Sequence, residues 1–286
     1  MGWGYENDMY NNLKSKIDAL HRILDSLGTV AVAFSGGVDS TFLLKAVHDR
    51  LGEKAVAVTV DSPFIAPDEI EAARAFTASE GIPHEIIYVD IFKNGAVIAN
   101  PPDRCYHCKL DVFRTIAAFA ASKGISHVAE GSNMDDRDDY RPGFRAIREL
   151  GILSPLMEAG FDKKDIREAS RCLGLAAWDK PANPCLATRI PCGTAITREM
   201  LDAVYRAEEY LHGLGLRDVR VRHHGSIARI EVPRDQQDIL LKEPNAAAIA
   251  GVFKRLGFAH IALDIEGYRR GSMNEPASGG RGDGQG

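Results

Sequence analysis

The chain has 286 residues, of which 45% are hydrophobic, and carries a formal net charge of −5. That is enough apolar material for one large domain or two modest ones, and the charge balance argues against a bulk nucleic-acid binder. No apolar run approaches the roughly 20 residues of a membrane-spanning helix, and the start, MGWGYENDMYNN, has neither a basic, apolar signal segment nor the Ser/Thr of a myristoylation signal, so a cytoplasmic enzyme without membrane attachment is expected.

Apolar residues at Leu13, Ile17, Leu20, Ile23, Leu24 and Leu27 recur at helical spacing, which predicts a helix over 13–27 leading into a strand at 30–34. A helix over 41–50 follows, then a strand-like run at 54–62. Pro-Asp-Glu at 67–69 suits a helix N-terminus and Gly81 its end, giving a helix over 67–80. The remaining elements of this half are a strand at 84–91, a helix at 109–122 and a short strand at 127–133. Strands alternating with helices in this way predict an α/β domain over 1–179 with a mainly parallel sheet.

The pattern changes after Asp179. Residues 180–197, KPANPCLATRIPCGTAIT, hold three prolines and a glycine and read as a linker. A helix at 198–214, a β-hairpin turning near His224-Gly225, a mostly helical stretch at 235–258 and a last strand at 260–268 form a smaller α+β domain over 180–270. The glycine-rich, polar residues 271–286 are expected to be a disordered tail.

The stretch VAVAFSGGVDSTFLLKA (30–46) is an apolar strand, a glycine turn and a helix. Backbone N–H groups of such a turn converge on one point, and the helix dipole adds positive potential there, which is how proteins hold phosphate. The turn has neither the G-x-x-x-x-G-K-[ST] nor the G-x-G-x-x-G spacing. Five cysteines, an odd number, argue against a disulfide framework and toward metal or thiol chemistry, against the plain alternative of small buried residues. Cys105 and Cys108 form a CxxC whose two thiolates can reach one metal centre, with zinc or simple thiols as the other readings. Cys185 lies in a proline-bounded loop, Cys172 reads as core on a helix, and Cys192 is seven residues beyond Cys185.

SGGVDS resembles the PP-loop of the ATP pyrophosphatase superfamily, a Rossmann-like fold. Together with PPDRCYHCK (101–109), EGSNMDDRDDYRPG (130–143) and KPANPCLATRIPCG (180–193), it makes the chain similar to the LarE family of ATP-dependent sulfur transferases over about two hundred residues. The resemblance implies adenylation of a pyridinium-3,5-dicarboxylate mononucleotide by ATP with magnesium. A sulfur nucleophile then displaces AMP, a step of nickel-pincer cofactor synthesis. It implies that Ser35, Gly36, Gly37, Asp39 and Ser40 grip pyrophosphate. Adenine would lie near Val60, and Gly131 and Asp136 would face the nucleotide from the second turn.

Two sulfur routes are implied. In one, Cys105, Cys108 and Cys185 hold a [4Fe–4S] cluster that carries an extra sulfide; in the other, Cys185 is consumed as the donor. Cys172, Cys185 and Cys192 form a rival ligand set. Arg189 is the implied oxyanion or phosphate partner, and Arg220 and Arg222 lie near a substrate or coenzyme A phosphate. Glu208 and Glu231 lie near a metal. The acidic run Asp135, Asp136, Asp138 and Asp139 is a magnesium or substrate-positioning candidate. Solvated surface groups remain the plain alternative for the arginines, the two glutamates and the acidic run. Family members assemble as homo-oligomers. Two other readings are a PP-loop tRNA-thiolating enzyme, which the negative charge disfavours, and a non-catalytic ATP/AMP-sensing module, which the cysteine array disfavours.

Overall fold

A computed structural model describes residues 3–137, 142–181 and 183–269. Asp138, Asp139 and the expected tail at 271–286 lie outside the described residues. The chain divides into two compact units. One holds the residues up to Ile98 together with Asp103–Asn183, and the other holds Ala99–Pro102 and the residues from Pro184 onward. The second unit thus takes in the strap Ala99–Pro102. Among the described residues no helix is long and apolar enough to cross a membrane.

The first unit runs α1 (Trp3–Asp25), β1 (Val30–Ala33), α2 (Val38–Leu51), β2 (Ala55–Asp61), α3 (Pro67–Glu80), β3 (His84–Tyr88), α4 (Gly95–Ile98), α5 (Arg104–Ser122), β4 (His127–Ala129), α6 (Pro142–Glu149), α7 (Pro155–Glu158) and α8 (Lys163–Cys172). Its four strands are all parallel, in the order β3-β2-β1-β4. β1 is apolar at every position because helices cover both faces of the sheet. Val30 and Val32 pack with Leu20 and Leu24 of α1 and Leu43 of α2. Ala31, one residue out of phase, packs on the other face with Phe113 and Ile116 of α5 and Ile147 of α6.

Three helices start earlier than the apolar spacing predicts: α1, at Trp3 instead of 13, and two whose shifts matter for function. α2 begins at Val38, so Asp39 and Ser40 lie on its first turn. α5 begins at Arg104 instead of 109, because Pro101-Pro102 hold the chain out of helix only as far as Asp103. The CxxC is therefore helical. Cys172, expected in the core, sits in the last turn of α8 and is exposed, as is Leu173 next to it; Ile166, Ala169 and Ser170 form the buried face of that helix. The chain adds β2 and β3 on one side of β1, then returns to place β4 on the other side. In open parallel sheets, ligands bind beyond the strand ends at such a reversal.

The second unit holds α9 (Arg198–Gly213), β5 (Arg220–His224), β6 (Ile227–Glu231), α10 (Gln237–Leu241), α11 (Asn245–Arg255) and β7 (His260–Leu263). β5 and β6 form the expected hairpin, and β7 lies parallel to β6. Leu211, Val219, Val221, Ile230 and Phe253 form its core. Asn100 stitches the strap to this unit: its amide donates to the Pro191 carbonyl at 2.8 Å, and its own carbonyl accepts from the Gly193 amide at 2.8 Å.

Candidate functional site

In the first unit the glycine turn lies between β1 and α2, at the reversal of strand order. Gly36 has φ +71°, a left-handed conformation that L side chains rarely adopt. Gly37 has φ −79° and caps α2 without a side-chain bond; a Cβ there would make only ordinary contact, 3.5 Å from Ser35 Oγ. The backbone itself thus requires the first glycine, and open access to the turn accounts for the second. The first hydrogen bond of α2 runs from the Thr41 amide to the Gly37 carbonyl at 2.9 Å. The amides ahead of it lie at the open, positive end of the helix. The Ser40 hydroxyl ties the turn together, lying 3.1 Å from Ser35 Oγ and 3.2 Å from the Gly37 carbonyl.

Gly131, just beyond β4, closes the other side. A Cβ on it would lie 2.9 Å from the Ser40 amide nitrogen and 3.1 Å from the Asp39 carbonyl carbon. Within the same turn, Asn133 and Asp136 form a reciprocal cap, with the Asp136 carboxylate accepting from the Asn133 amide at 3.2 Å. Asn133 is fully buried, and its side-chain NH2 has no partner among the described residues. The Asp135 carboxylate accepts from the Lys163 amide at 3.0 Å, at the start of α8. Val60 lies near the end of β2, half-buried among the residues that pack on the α5 face.

Sequence reasoning missed two supports of this loop. The Lys180 ammonium donates to the Gly36 carbonyl at 3.1 Å, and nothing in a proline-rich run marks a lysine as loop-facing. The second is a relay behind the loop. The Thr59 hydroxyl donates to the Phe34 carbonyl at 2.8 Å, and His84 Nε2 lies 2.8 Å from Thr59 Oγ1. With the Thr59 hydrogen committed to Phe34, Nε2 carries the imidazole proton, and Nδ1 faces the Thr77 hydroxyl at 2.9 Å. Burial, then the Arg74 charge, hold the His84 imidazole below its ordinary pKa.

Cys105 and Cys108 stand one turn apart on α5, so they share a face of that helix near its positive N-terminus. Cys105 is exposed and Cys108 half-buried. Beside them the Tyr106 hydroxyl donates to Glu149 at 2.7 Å, and Arg145 lies over the Tyr106 ring at 4.3 Å.

In the second unit Cys185, half-buried, caps a short 3-10 turn, Leu186–Arg189. Its carbonyl accepts from the Thr188 amide at 3.0 Å and the Thr188 hydroxyl at 2.8 Å. Arg189 is wholly buried and forks onto Glu208 at 2.9 and 2.8 Å. It also donates to the Pro184 carbonyl at 2.5 Å and the Cys185 carbonyl at 3.3 Å. Arg189, the implied oxyanion or phosphate partner, holds the loop that carries Cys185 by these bonds.

Glu231 receives Arg222 at 2.7 Å and Arg229 at 2.9 Å, and Arg222 also donates to the Thr188 carbonyl at 3.1 Å. Glu208 and Glu231, expected near a metal, have both carboxylate oxygens engaged by arginine. Among the described residues no three His, Cys, Asp or Glu side chains gather as a metal site. The buried charges of this unit are Arg189, Arg220 and Arg222 against Glu208 and Glu231, so positive charge is in excess. Burial, then neighbouring Arg189, push the Arg220 guanidinium below its ordinary pKa; it stays protonated at neutral pH.

No family model matches the chain. It is 42% identical over 262 residues to an uncharacterised protein of Synechocystis, covering 92% of this chain and 98% of that protein. It is 36% identical over 265 residues to pyridinium-3,5-bisthiocarboxylic acid mononucleotide synthase of Lactiplantibacillus plantarum, covering 92% and 95%. A tRNA-specific 2-thiouridylase of Rickettsia typhi is 25% identical over 193 residues, about half of either chain.

Proposed function

The chain belongs to the LarE family of pyridinium-3,5-bisthiocarboxylic acid mononucleotide synthases, and we propose that its PP-loop activates the substrate with Mg·ATP and that its cysteines supply the sulfur. It is an ATP-dependent sulfur transferase of nickel-pincer cofactor synthesis, and its substrate is a small pyridinium-dicarboxylate mononucleotide. The loop supports the ATP step best. Gly36 turns left-handed, Gly131 has no side chain where it approaches Ser40, and the amides that precede the first hydrogen bond of α2 stand at its positive end.

A carboxylate is a poor electrophile and first needs a leaving group. Its oxygen attacks the α-phosphorus, the bond to the β-phosphate breaks, and pyrophosphate leaves. The turn's amides, Ser35 and Ser40 take up the phosphate charge, with Asp39 and Asp136 holding the nucleotide's magnesium and Val60 against the base. A sulfur nucleophile then adds to the acyl carbon and AMP departs with the bonding pair. Arg220 and Arg222 bind the phosphate of the mononucleotide, or of coenzyme A, by their fork-shaped donors.

Cys185 takes part in either sulfur route. Its loop is fixed by Arg189, which leaves the thiol as the adaptable part. Cys105 and Cys108 fit two thiolate positions of a [4Fe–4S] cluster, one turn apart at a positive helix end, and Cys185 completes the set in this reading. When bound, such a cluster carries an extra sulfide on an open iron. A homo-oligomer in the cytoplasm, where thiols stay reduced, goes with this assignment.

The test is pyrophosphate and AMP release with the dicarboxylate mononucleotide as substrate, with the thiolated product read by mass spectrometry. ATP cleavage that ignores this substrate refutes the assignment. Anaerobic iron and sulfide analysis separates the sulfur routes. Iron lost in each of Cys105→Ala, Cys108→Ala and Cys185→Ala supports the cluster. An iron-free protein that loses one sulfur from Cys185 per turnover supports consumption of Cys185.

A further inference from the structure

Among the described residues three glutamates are buried: Glu130, Glu208 and Glu231. Arg189 forks onto Glu208, and Arg222 and Arg229 reach Glu231. Glu130, just past the end of β4 and only 7% exposed, meets no cation among the described residues. Its two oxygens accept instead from neutral hydroxyls, Oε1 from Ser154 at 2.6 Å and Oε2 from Ser132 at 2.8 Å. One hydroxyl on each oxygen is the pattern of an ionised carboxylate. Hydroxyls orient that charge without cancelling it, and a buried charge left uncompensated is costly.

The charge lies where the strand order reverses. Gly131, the next residue, closes on the Ser40 amide of α2. The Glu130 amide itself donates to the Leu153 carbonyl at 2.9 Å. The carboxylate therefore stands on a fixed backbone beside the phosphate turn.

The mononucleotide substrate carries a permanent positive charge, because its ring nitrogen is bonded to the ribose and is quaternary. That nitrogen has no N–H. It calls for a negative field and not for a hydrogen-bond acceptor, and a carboxylate already held by two serines supplies such a field. The same charge repels the two ring carboxylates. The ring accordingly turns its nitrogen edge toward Glu130 and its carboxylates away. The two carboxylates are related by the axis through the nitrogen and the ring carbon opposite it. A half-turn about that axis brings the second carboxylate to the place of the first while the cation stays where it was.

We propose that Glu130 is the counter-charge for the pyridinium nitrogen of the mononucleotide, and that it selects the cationic ring and sets its orientation. The inference rests on the substrate reading above and adds the residue that recognises the ring.

Calorimetric titration of the full-length protein with the pyridinium-dicarboxylate mononucleotide, and with its uncharged isostere in which a benzene carbon replaces the ring nitrogen, tests this. The wild type should bind the cation roughly ten- to hundredfold more tightly, as for opposite charges about 6–10 Å apart at an effective dielectric of about 20. Glu130→Gln keeps the shape and a partner for each serine but removes the charge. It should bind the cation as weakly as the isostere, with isostere affinity and the KM for ATP unchanged. Wild-type protein that binds the two compounds alike overturns the proposal, and this comparison needs no variant. An equal loss of both compounds in Glu130→Gln also overturns it and makes the carboxylate structural. A raised magnesium requirement with the preference for the cation intact overturns it as well, and assigns Glu130 to the metal. Wild-type protein that binds ATP but neither ring compound overturns the substrate reading itself.

Discussion

Replacing Gly131 by alanine tests whether the turn after β4 and the start of α2 form one close-packed phosphate cradle. The added Cβ would meet backbone, not a flexible side chain: the Ser40 nitrogen at 2.9 Å, the Asp39 carbonyl carbon at 3.1 Å and Ser40 Cα at 3.2 Å. Reaching the 3.4 Å of ordinary contact requires the two segments to part by about 0.5 Å. Overpacking of this kind costs about 1–3 kcal/mol. At roughly 2–4 °C per kcal/mol for a domain of this size, melting should fall by about 2–12 °C. The displaced atoms belong to the amide that would face phosphate, so ATP-dependent pyrophosphate release should fall by about ten- to a hundredfold. Gly28 serves as the control, because its Cβ would meet nothing within 4 Å and its φ is not left-handed. The assay is a thermal melt beside steady-state kinetics in ATP. A Gly131→Ala protein that melts and turns over ATP like the wild type would refute the close-packed cradle.

Other expectations follow from the same geometry. Arg189→Ala strands Glu208 as a buried carboxylate and should destabilise the second unit by about 3–5 kcal/mol in urea unfolding; an Arg189→Met/Glu208→Leu pair should recover most of that loss yet still abolish sulfur transfer. Asn100 has φ 55° and donates to the Pro191 carbonyl, so Asn100→Ala should cost about 1 kcal/mol more than Asn100→Gly in the same assay, because only the glycine relieves the left-handed backbone. His84, His223 and His224 are each held below the ordinary imidazole pKa, chiefly by burial. Between their folded pKa values and about 6.5 the unfolded chain therefore binds more protons than the folded one. Melting temperature should accordingly fall as pH is lowered through that window, and His84→Gln should flatten the fall.

The parallel sheet was legible because β1 is apolar at every position, which only a strand covered on both faces can tolerate. The strand and helix around SGGVDS were equally legible, since two glycines before an amphipathic run have few other uses. The CxxC was found but misplaced relative to the helix: apolar spacing does not register a polar first turn, and the proline stop at 101–102 was the better boundary signal. Lys180, the His84 relay and the role of Arg189 were not legible. Each depends on which backbone carbonyl a side chain reaches across the fold, and no local spacing encodes that. Asn100 was hidden for a related reason, since a left-handed asparagine before two prolines reads simply as loop.

The arrangement around Cys185 bears on how a loop can carry chemistry without being rigid in itself. Residues 184–189 pair with no strand among the described residues, and the 3-10 turn among them is only four residues long. The nearby carbonyls of Pro184 and Cys185 are instead gathered by one guanidinium, which Glu208 fixes in plane from α9. Glu208 is fixed in turn by the Val221 amide at 2.8 Å, at the edge of the hairpin core. A buried ion pair seldom repays its desolvation in stability. Here the spare donors of Arg189 transmit the position of a helix and a strand to a loop that has neither. Losing the pair therefore misplaces the sulfur-bearing loop even where a hydrophobic substitute restores the fold, so stability and sulfur transfer should respond separately to changes at these two positions.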